Sequence, residues 1–307
     1  MLTVVIATHN GARTLPRVLD AYTRLDTVEG GWKLVIVDNA SNDETEGIIK
    51  AFAPKLPVTY LFEPRRGKNV ALNSAIASFE GDLVVFSDDD AIPQSTWLKR
   101  LKDCADENTD FDIFGGAIRP MWEVEPPDWV HRLVPPGLTY AITDSNLANG
   151  PISPGLIWGA NMAIRLRAFN EGHRFNERVG PKGNNYVMGS ETEFTIRIRK
   201  YGYKSWFCPD SIVYHFIRSY QLEKKWIFGR AYRSGRGAFQ REQNTLKPEI
   251  PKLFGAPRWM VRKLINEGLV AVAARIIGNS DRNFLARWEM SFILGYLSEA
   301  MRWSHRL

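Results

Sequence analysis

An α/β fold on a mostly parallel sheet is what the sequence predicts, and three observations predict it. Four short apolar runs alternate with helix-spaced segments through the first 90 residues. The runs are apolar almost throughout rather than at every second position, as in strands covered by helices on both faces. The first, second and fourth runs end in polar residues: Thr8, His9 and Asn10, then Asp38 and Asn39, then Asp88 to Asp90. In open α/β sheets the strand-to-helix loops converge beyond the carboxyl ends of the strands, so these groups share one rim.

Taken in order, TVVIATH, WKLVIVDNA, VTYLFEP and DLVVFSDDD are the strands, with TLPRVLDAYTRL, DETEGIIKAFA and KNVALNSAIASF as the intervening helices. Residues 91–150 are less regular, with FDIFGGAIRP a strand and VEPPDWVHRLVPPG a proline-interrupted loop long enough to cover a site. LIWGANMAIRLRAF resumes a strand pattern, and its Gly159-Ala160-Asn161 step lets the backbone come close to something. Ser190 with Glu193 fits a capping box that opens a helix through ETEFTIRIRKYG to a stop at Gly202. KSWFCPDSIVYH is loop and strand, and from Phe216 onward the pattern is helical, aromatic and basic. The division is therefore 1–215, with halves 1–90 and 91–215, followed by an extension over 216–307.

The chain has 307 residues, enough for one large domain or a domain with an extension. Its formal net charge of +6 is uneven: residues 216–307 hold 17 basic and 7 acidic side chains, against 23 and 27 in residues 1–215. Such a patch suits an anionic substrate, an anionic membrane or nucleic acid, and charge alone does not choose. No recognised nucleic-acid reading module is present, which disfavours the last. No apolar run approaches the roughly 20 residues of a spanning helix. The amino terminus enters LTVVIATHN without a basic leader, so the expectation is a cytoplasmic chain. Cys104 and Cys208 lie in unrelated contexts without metal-ligand spacing, which fits a reducing compartment or simply says little.

Four features carry chemistry. Asp88 and Asp90, two apart in extended backbone, point to one side while Asp89 points away, so the pair suits a divalent cation; an acidic turn before Pro93 is the plainer reading. His215, ending the apolar run SIVYH, is either a further ligand or a half-buried structural histidine. His9, His131, His173 and His305 are weaker candidates. Glu191 sits in the first turn of the Ser190 helix, where the dipole favours an ionised carboxylate able to accept a proton, or simply stabilises the helix. Arg65, Arg66 and Lys68 are bunched before a helix in EPRRGKNVALNSA, a combination that suits an anion. Gly67-Lys68 is not a P-loop, and ATHNGART has one glycine where a dinucleotide fingerprint needs three.

VVIATHN, IVDNASND, RGKNVALNSAI, FSDDDAIP, WGANMAIR, GSETEFTIRIRKYGY and VYH occur in an order that resembles bacterial-type, inverting family 2 glycosyltransferases of the GT-A fold. The resemblance implies a nucleoside-diphosphate-sugar-binding sheet followed by an acceptor-binding half. It implies that Thr8, His9, Asn10, Asp38, Arg66, Lys68, Asn73 and Asp88 bind the nucleotide sugar, with uridine diphosphate the expected nucleotide. Asp88 and Asp90 match the family's D-x-D pair and, with His215, would hold Mn²⁺ or Mg²⁺. Glu191 falls at the family's catalytic base, where the usual Glu-Asp pair is written Ser190-Glu191; Glu193 is its nearby competitor. A bound cation would stabilise charge on the departing diphosphate while the base takes the proton of the attacking hydroxyl, inverting the anomeric centre.

Trp226, Phe228, Tyr232 and Phe239, interleaved with Lys224, Lys225, Arg230, Arg233 and Arg236, give the extension the character of an interfacial helix, or of a helix packing aromatics inward. Peripheral membrane contact through 216–307 and a saccharide or lipid-linked acceptor follow as expectations, with polysaccharide or glycolipid synthesis as the setting. The competing readings are a nucleotidyltransferase-like enzyme and a non-catalytic nucleotide-sugar-binding assembly subunit.

Overall fold

The computed structural model describes residues 1–183, 186–242, 250–253 and 255–304, and His305 lies outside them. In chain order the elements are β1 (Leu2–Thr8), α1 (Leu15–Tyr22), β2 (Trp32–Asp38), α2 (Thr45–Phe52), β3 (Val58–Phe62), α3 (Lys68–Ser74), β4 (Leu83–Ser87), β5 (Ala91–Pro93), α4 (Trp97–Glu107), β6 (Ile113–Trp122), α5 (Asp128–Leu133) and α6 (Pro136–Tyr140). They continue with β7 (Gly150–Pro151), β8 (Met162–Arg165), α7 (Arg167–Asn170), α8 (Ser190–Arg199), β9 (Ser205–Ile217), α9 (Lys224–Glu242), β10 (Lys252–Leu253), β11 (Ala256–Pro257), α10 (Arg258–Ile276) and α11 (Ser280–Ser304). The chain forms two compact units, one of residues 1–121, 141–184 and 190–216, the other of 122–140, 185–189 and 217–307.

The first unit is built on a sheet of order β3-β2-β1-β4-β8-β6-β9-β5, with β7 alongside β9. The strands of the first 90 residues pair in parallel, whereas β8 runs antiparallel to β4 and β6, and β9 antiparallel to β5 and β7. The parallel half matches the expected alternation; the antiparallel half gives a mixed sheet. Alternation of side chains explains the continuous apolar runs. Leu2, Val4, Ile6, Leu34, Ile36, Leu83 and Val85 pack on one face with Leu15, Val18 and Leu19 of α1 and Leu98 and Leu101 of α4. Val5, Val35, Val37, Val84 and Phe86 pack on the other with Ala71 and Leu72 of α3 and Phe194 and Ile198 of α8. That second face holds an aromatic cluster in which Phe194 stacks on Phe175 at 4.3 Å and on Phe169 at 5.7 Å.

Three features depart from the sequence reading. The segment read as irregular contains α4, whose Trp97, Leu98, Leu101 and Ala105 form a buried helical stripe. The proline-interrupted loop contains the short helices α5 and α6. Cys104 of α4 and Cys208 of β9 are joined by a disulfide across a Cα–Cα distance of 6.3 Å. The packing of α4 on the sheet brings them together, and a separation of 104 residues hid the pairing.

In the second unit α9 and α11 cross at Gly235 and Gly295, where a Cβ on either would strike the other helix's backbone. The aromatics of α9 are used inside this unit. Trp226 stacks on Tyr140 at 5.9 Å, Phe228 meets Phe284 at 5.2 Å and Phe239 meets Tyr296 at 5.3 Å. The exposed apolar face lies instead on α10, where Trp259, Ile265, Leu269, Val272 and Ile276 are 56–79 % exposed. Among the described residues no helix is long and apolar enough to cross a membrane.

Candidate active site

Register builds the site. Thr8 is paired with Asp38 and Ile6 with Ser87, so β1, β2 and β4 end on one rim. The three aspartates after β4 reach three partners. Asp88 Oδ1 accepts from Lys68 Nζ at 2.6 Å, Asp89 Oδ2 accepts from Thr8 Oγ1 at 2.5 Å, and Asp90 Oδ1 lies 3.4 Å from His215 Nε2. His215 is brought there by the antiparallel pairing of β5 with β9, which sets Ala91 opposite it.

The loop after β2 is held by its own side chains. Asp38, buried at the strand end, accepts from the Ser41 amide at 2.9 Å and the Tyr60 hydroxyl at 3.1 Å. Asn39 donates to the Glu63 and Arg65 carbonyls and accepts from the Gly67 amide, tying the second rim loop to the basic one. His9 Nδ1 is 2.9 Å from the Asn39 carbonyl oxygen, and Asn10, at φ 56°, accepts from the Asn42 amide. Within the basic loop Arg65 forks onto Glu63. Arg66 is exposed and forms no ion pair among the described residues. Asn73 is turned toward the chain, exchanging two hydrogen bonds with the Phe175 backbone and donating to Glu177.

Lys68 is the centre of the arrangement. Its ammonium donates to Asp88 at 2.6 Å and to Glu191 Oε1 at 2.6 Å, joining the end of β4 to the start of α8. Burial alone would lower its pKa, but Asp88 and Glu191 outweigh burial and hold it above its ordinary value, so it is a fixed cation. Gly159 is the close approach anticipated in WGAN: any Cβ there would collide with the Glu191 carboxyl. Two residues on, buried Asn161 donates to the Ala117 and Ser211 carbonyls and accepts from Trp97 Nε1, so the segment beside Glu191 is pinned to two strands, β6 and β9, and to α4.

The capping box expected at Ser190 and Glu193 does not form. Ser190 donates its hydroxyl to Asn69 Oδ1, and Glu193 pairs with Arg197 at 2.7 Å. Tertiary partners outcompeted the local pair for both side chains. Neither the Lys68–Glu191 link nor the Asn161 pin was read from the sequence; the asparagine in WGAN was the available signal, and the lysine link spans 123 positions.

Asp90 stands beside His215 while Asp88 is held by Lys68; carboxylates and an imidazole are the donor types that would suit Mg²⁺ or Mn²⁺. Among the described residues no three His, Cys, Asp or Glu side chains close into one ligand cluster. A cation here would complete its shell with phosphate oxygens and water, as Mg²⁺ commonly does. The lysine ammonium on Asp88 marks the same rim as a place where positive charge is stabilised.

Residues 3–172, more than half of the chain, match the sequence pattern of Glycosyl transferase family 2. Glycosyltransferase AglE of Haloferax volcanii is 26 % identical over 242 residues, covering 78 % of this chain and 73 % of the relative. The Glucosyl-dolichyl phosphate glucuronosyltransferase of the same organism is 23 % identical over 66 % of this chain and 65 % of its own length. Among solved structures, the mannosyltransferase PcManGT from Pyrobaculum calidifontis, in complex with GDP-Man and Mn²⁺, superposes with a TM-score of 0.63 at 18 % identity, over 96 % of this chain and 86 % of that one. S. aureus TarS 1–349 with UDP gives a TM-score of 0.55 at 15 % identity, over 100 % and 92 %.

Proposed function

The chain belongs to glycosyl transferase family 2 and is a sugar-transferring enzyme with the GT-A fold; from that premise we propose that it is a metal-dependent, inverting, bacterial-type transferase with Glu191 as its base. The observation that carries this reading is the Lys68 bridge. A single ammonium ties the rim aspartate to Glu191, so the group suited to take a proton stands beside the group suited to the donor diphosphate.

In this scheme Thr8, His9, Asn10 and Asp38 line the nucleotide side of the rim, with Arg66 free to turn toward phosphate oxygens. Asp88 and Asp90 would hold Mn²⁺ or Mg²⁺ with His215 beside them. Such a cation would stabilise the negative charge that develops on the departing diphosphate. Glu191 is held by Lys68 against the Gly159 backbone, oriented to accept the acceptor hydroxyl's proton as that oxygen attacks. Glu193 is the weaker choice because Arg197 forks onto both of its carboxylate oxygens, whereas Glu191 is the glutamate that Lys68 joins to Asp88.

The donor nucleotide is uridine or guanosine diphosphate, the ligands named for the structural neighbours. A lipid-linked acceptor is supported by the name of the glucuronosyltransferase relative and by the exposed apolar face of α10, which also supports contact with a membrane surface. The deciding experiment pairs a screen of nucleotide sugars for transfer with the Glu191→Gln enzyme. The expected result is a product of inverted anomeric configuration by NMR, and a loss of turnover of about a hundred- to ten-thousand-fold in the variant. Undiminished transfer by Glu191→Gln would move the base elsewhere, and a retained configuration would discard the single-displacement scheme.

A further inference from the structure

In the second unit two arginines of α9 share one setting. Arg230 and Arg233 lie three apart on α9, so their side chains share one helix face. Both converge on Tyr186. Arg230 Nη1 donates to the Tyr186 hydroxyl at 3.1 Å, and the Arg233 guanidinium lies 5.1 Å from the centre of the Tyr186 ring. The segment carrying Tyr186 is fastened to the same helix by the Met188 amide, which donates to the Arg233 carbonyl. The guanidinium of Arg230 is further steadied over the Trp226 ring at 5.9 Å.

What sets this pair apart is its lack of counter-charge. The third arginine of the series, Arg236, is matched: its Nε and Nη2 both reach Glu299 at 2.7 Å, and Gln240 holds the other Glu299 oxygen. Among the described residues Arg230 and Arg233 form no ion pair. Each also has a buried Nε without a hydrogen-bond partner. Both side chains are half-buried, and buried donors such as these Nε atoms are almost always satisfied, so such a pair calls for an anion. Tyr186 responds to it: burial pushes its phenol up, but the two guanidiniums outweigh burial and bring its pKa below the ordinary value.

We propose that Arg230 and Arg233, steadied by Tyr186, form a binding site for a phosphate or diphosphate ester. Two guanidinium forks present parallel N–H donors that match tetrahedral oxygens. A phosphate monoester carries close to two negative charges at neutral pH, which balances two arginines, whereas a carboxylate balances one. The oxyanion has two possible sources, the donor's diphosphate and a phosphate carried by the acceptor. The site is argued from the second unit alone and does not depend on Glu191 being the base.

The test uses the full chain without added metal and inorganic pyrophosphate as the probe, titrated by calorimetry. Arg230→Gln and Arg233→Gln are each expected to weaken binding by about ten-fold or more, while Arg100→Gln, on the exposed side of α4, leaves it unchanged. Phenylglyoxal modification of the wild-type chain, read residue by residue by mass spectrometry, covers the case in which a variant folds poorly: pyrophosphate should protect Arg230 and Arg233 and not Arg100. Parallel arms with a nucleoside diphosphate and with dodecyl phosphate identify the source. Protection by the first alone assigns the site to the donor, by the second alone to a phosphorylated acceptor, and by both to a general phosphate site. Absence of pyrophosphate binding, affinity unchanged in both well-folded glutamine variants, or equal protection of Arg100 would overturn the proposal.

Discussion

Lys68 shows how one side chain can serve both structure and chemistry. Its ammonium neutralises two carboxylates that would otherwise repel each other from opposite sides of the rim. Lys68→Met should therefore leave Asp88 and Glu191 uncompensated and lower stability by about 2–3 kcal/mol, below the cost for a fully buried pair because Asp88 is partly solvated. Urea unfolding checks the stability change, and transfer kinetics should show a lower kcat because Glu191 loses its tether. A variant as stable and as active as the parent would mean that the bridge is incidental. Glu191 and Glu193 make the complementary point: two glutamates on one helical turn are equivalent by spacing, yet Arg197 takes one and Lys68 the other.

At the scale of elements, α4 and α10 carry the features that sequence patterns left unread. The disulfide fastens α4 to β9, the strand that delivers His215 to the rim. Closing a loop of this length restricts the unfolded chain, so Cys104→Ser or full reduction should lower stability by roughly 2–4 kcal/mol. Thermal unfolding with and without reductant measures it, and identical midpoints would show that the bond contributes nothing. On α10, Ile265, Leu269, Val272 and Ile276 recur at helical spacing on the solvent side, close to Arg258, Arg262 and Arg275. Such a face suits an anionic bilayer surface. Leu269→Glu should reduce sedimentation of the chain with phosphatidylglycerol vesicles by about ten-fold, and the wild-type binding should weaken in high salt. Equal sedimentation of the two proteins would assign the face to something other than lipid.

For the whole molecule, the rim works as a unit only because three strands end together and a fourth, β9, running antiparallel to β5, brings in His215 from 125 residues beyond Asp90. If a divalent cation joins Asp88 and Asp90 there, chelation with EDTA should abolish donor turnover, and Mn²⁺ or Mg²⁺ should restore it, as followed by nucleotide release. Full activity in the presence of chelator would remove the metal from the scheme.

The sequence by itself determined the layered α/β core, because continuous apolar runs leave a strand no choice but to be covered on both faces. It also determined that polar groups gather at one sheet edge, since parallel strands share a direction and their ends share a side. The order of short motifs carried the family. Only the tertiary structure decided that Cys104 meets Cys208, that Ser190 turns to Asn69 instead of capping its helix, that Lys68 joins Asp88 to Glu191, and that α10 rather than α9 shows its apolar face to solvent. Each of those outcomes is a competition among partners far apart in the chain. Local spacing sets which side chains are available for such contacts, and packing selects among them.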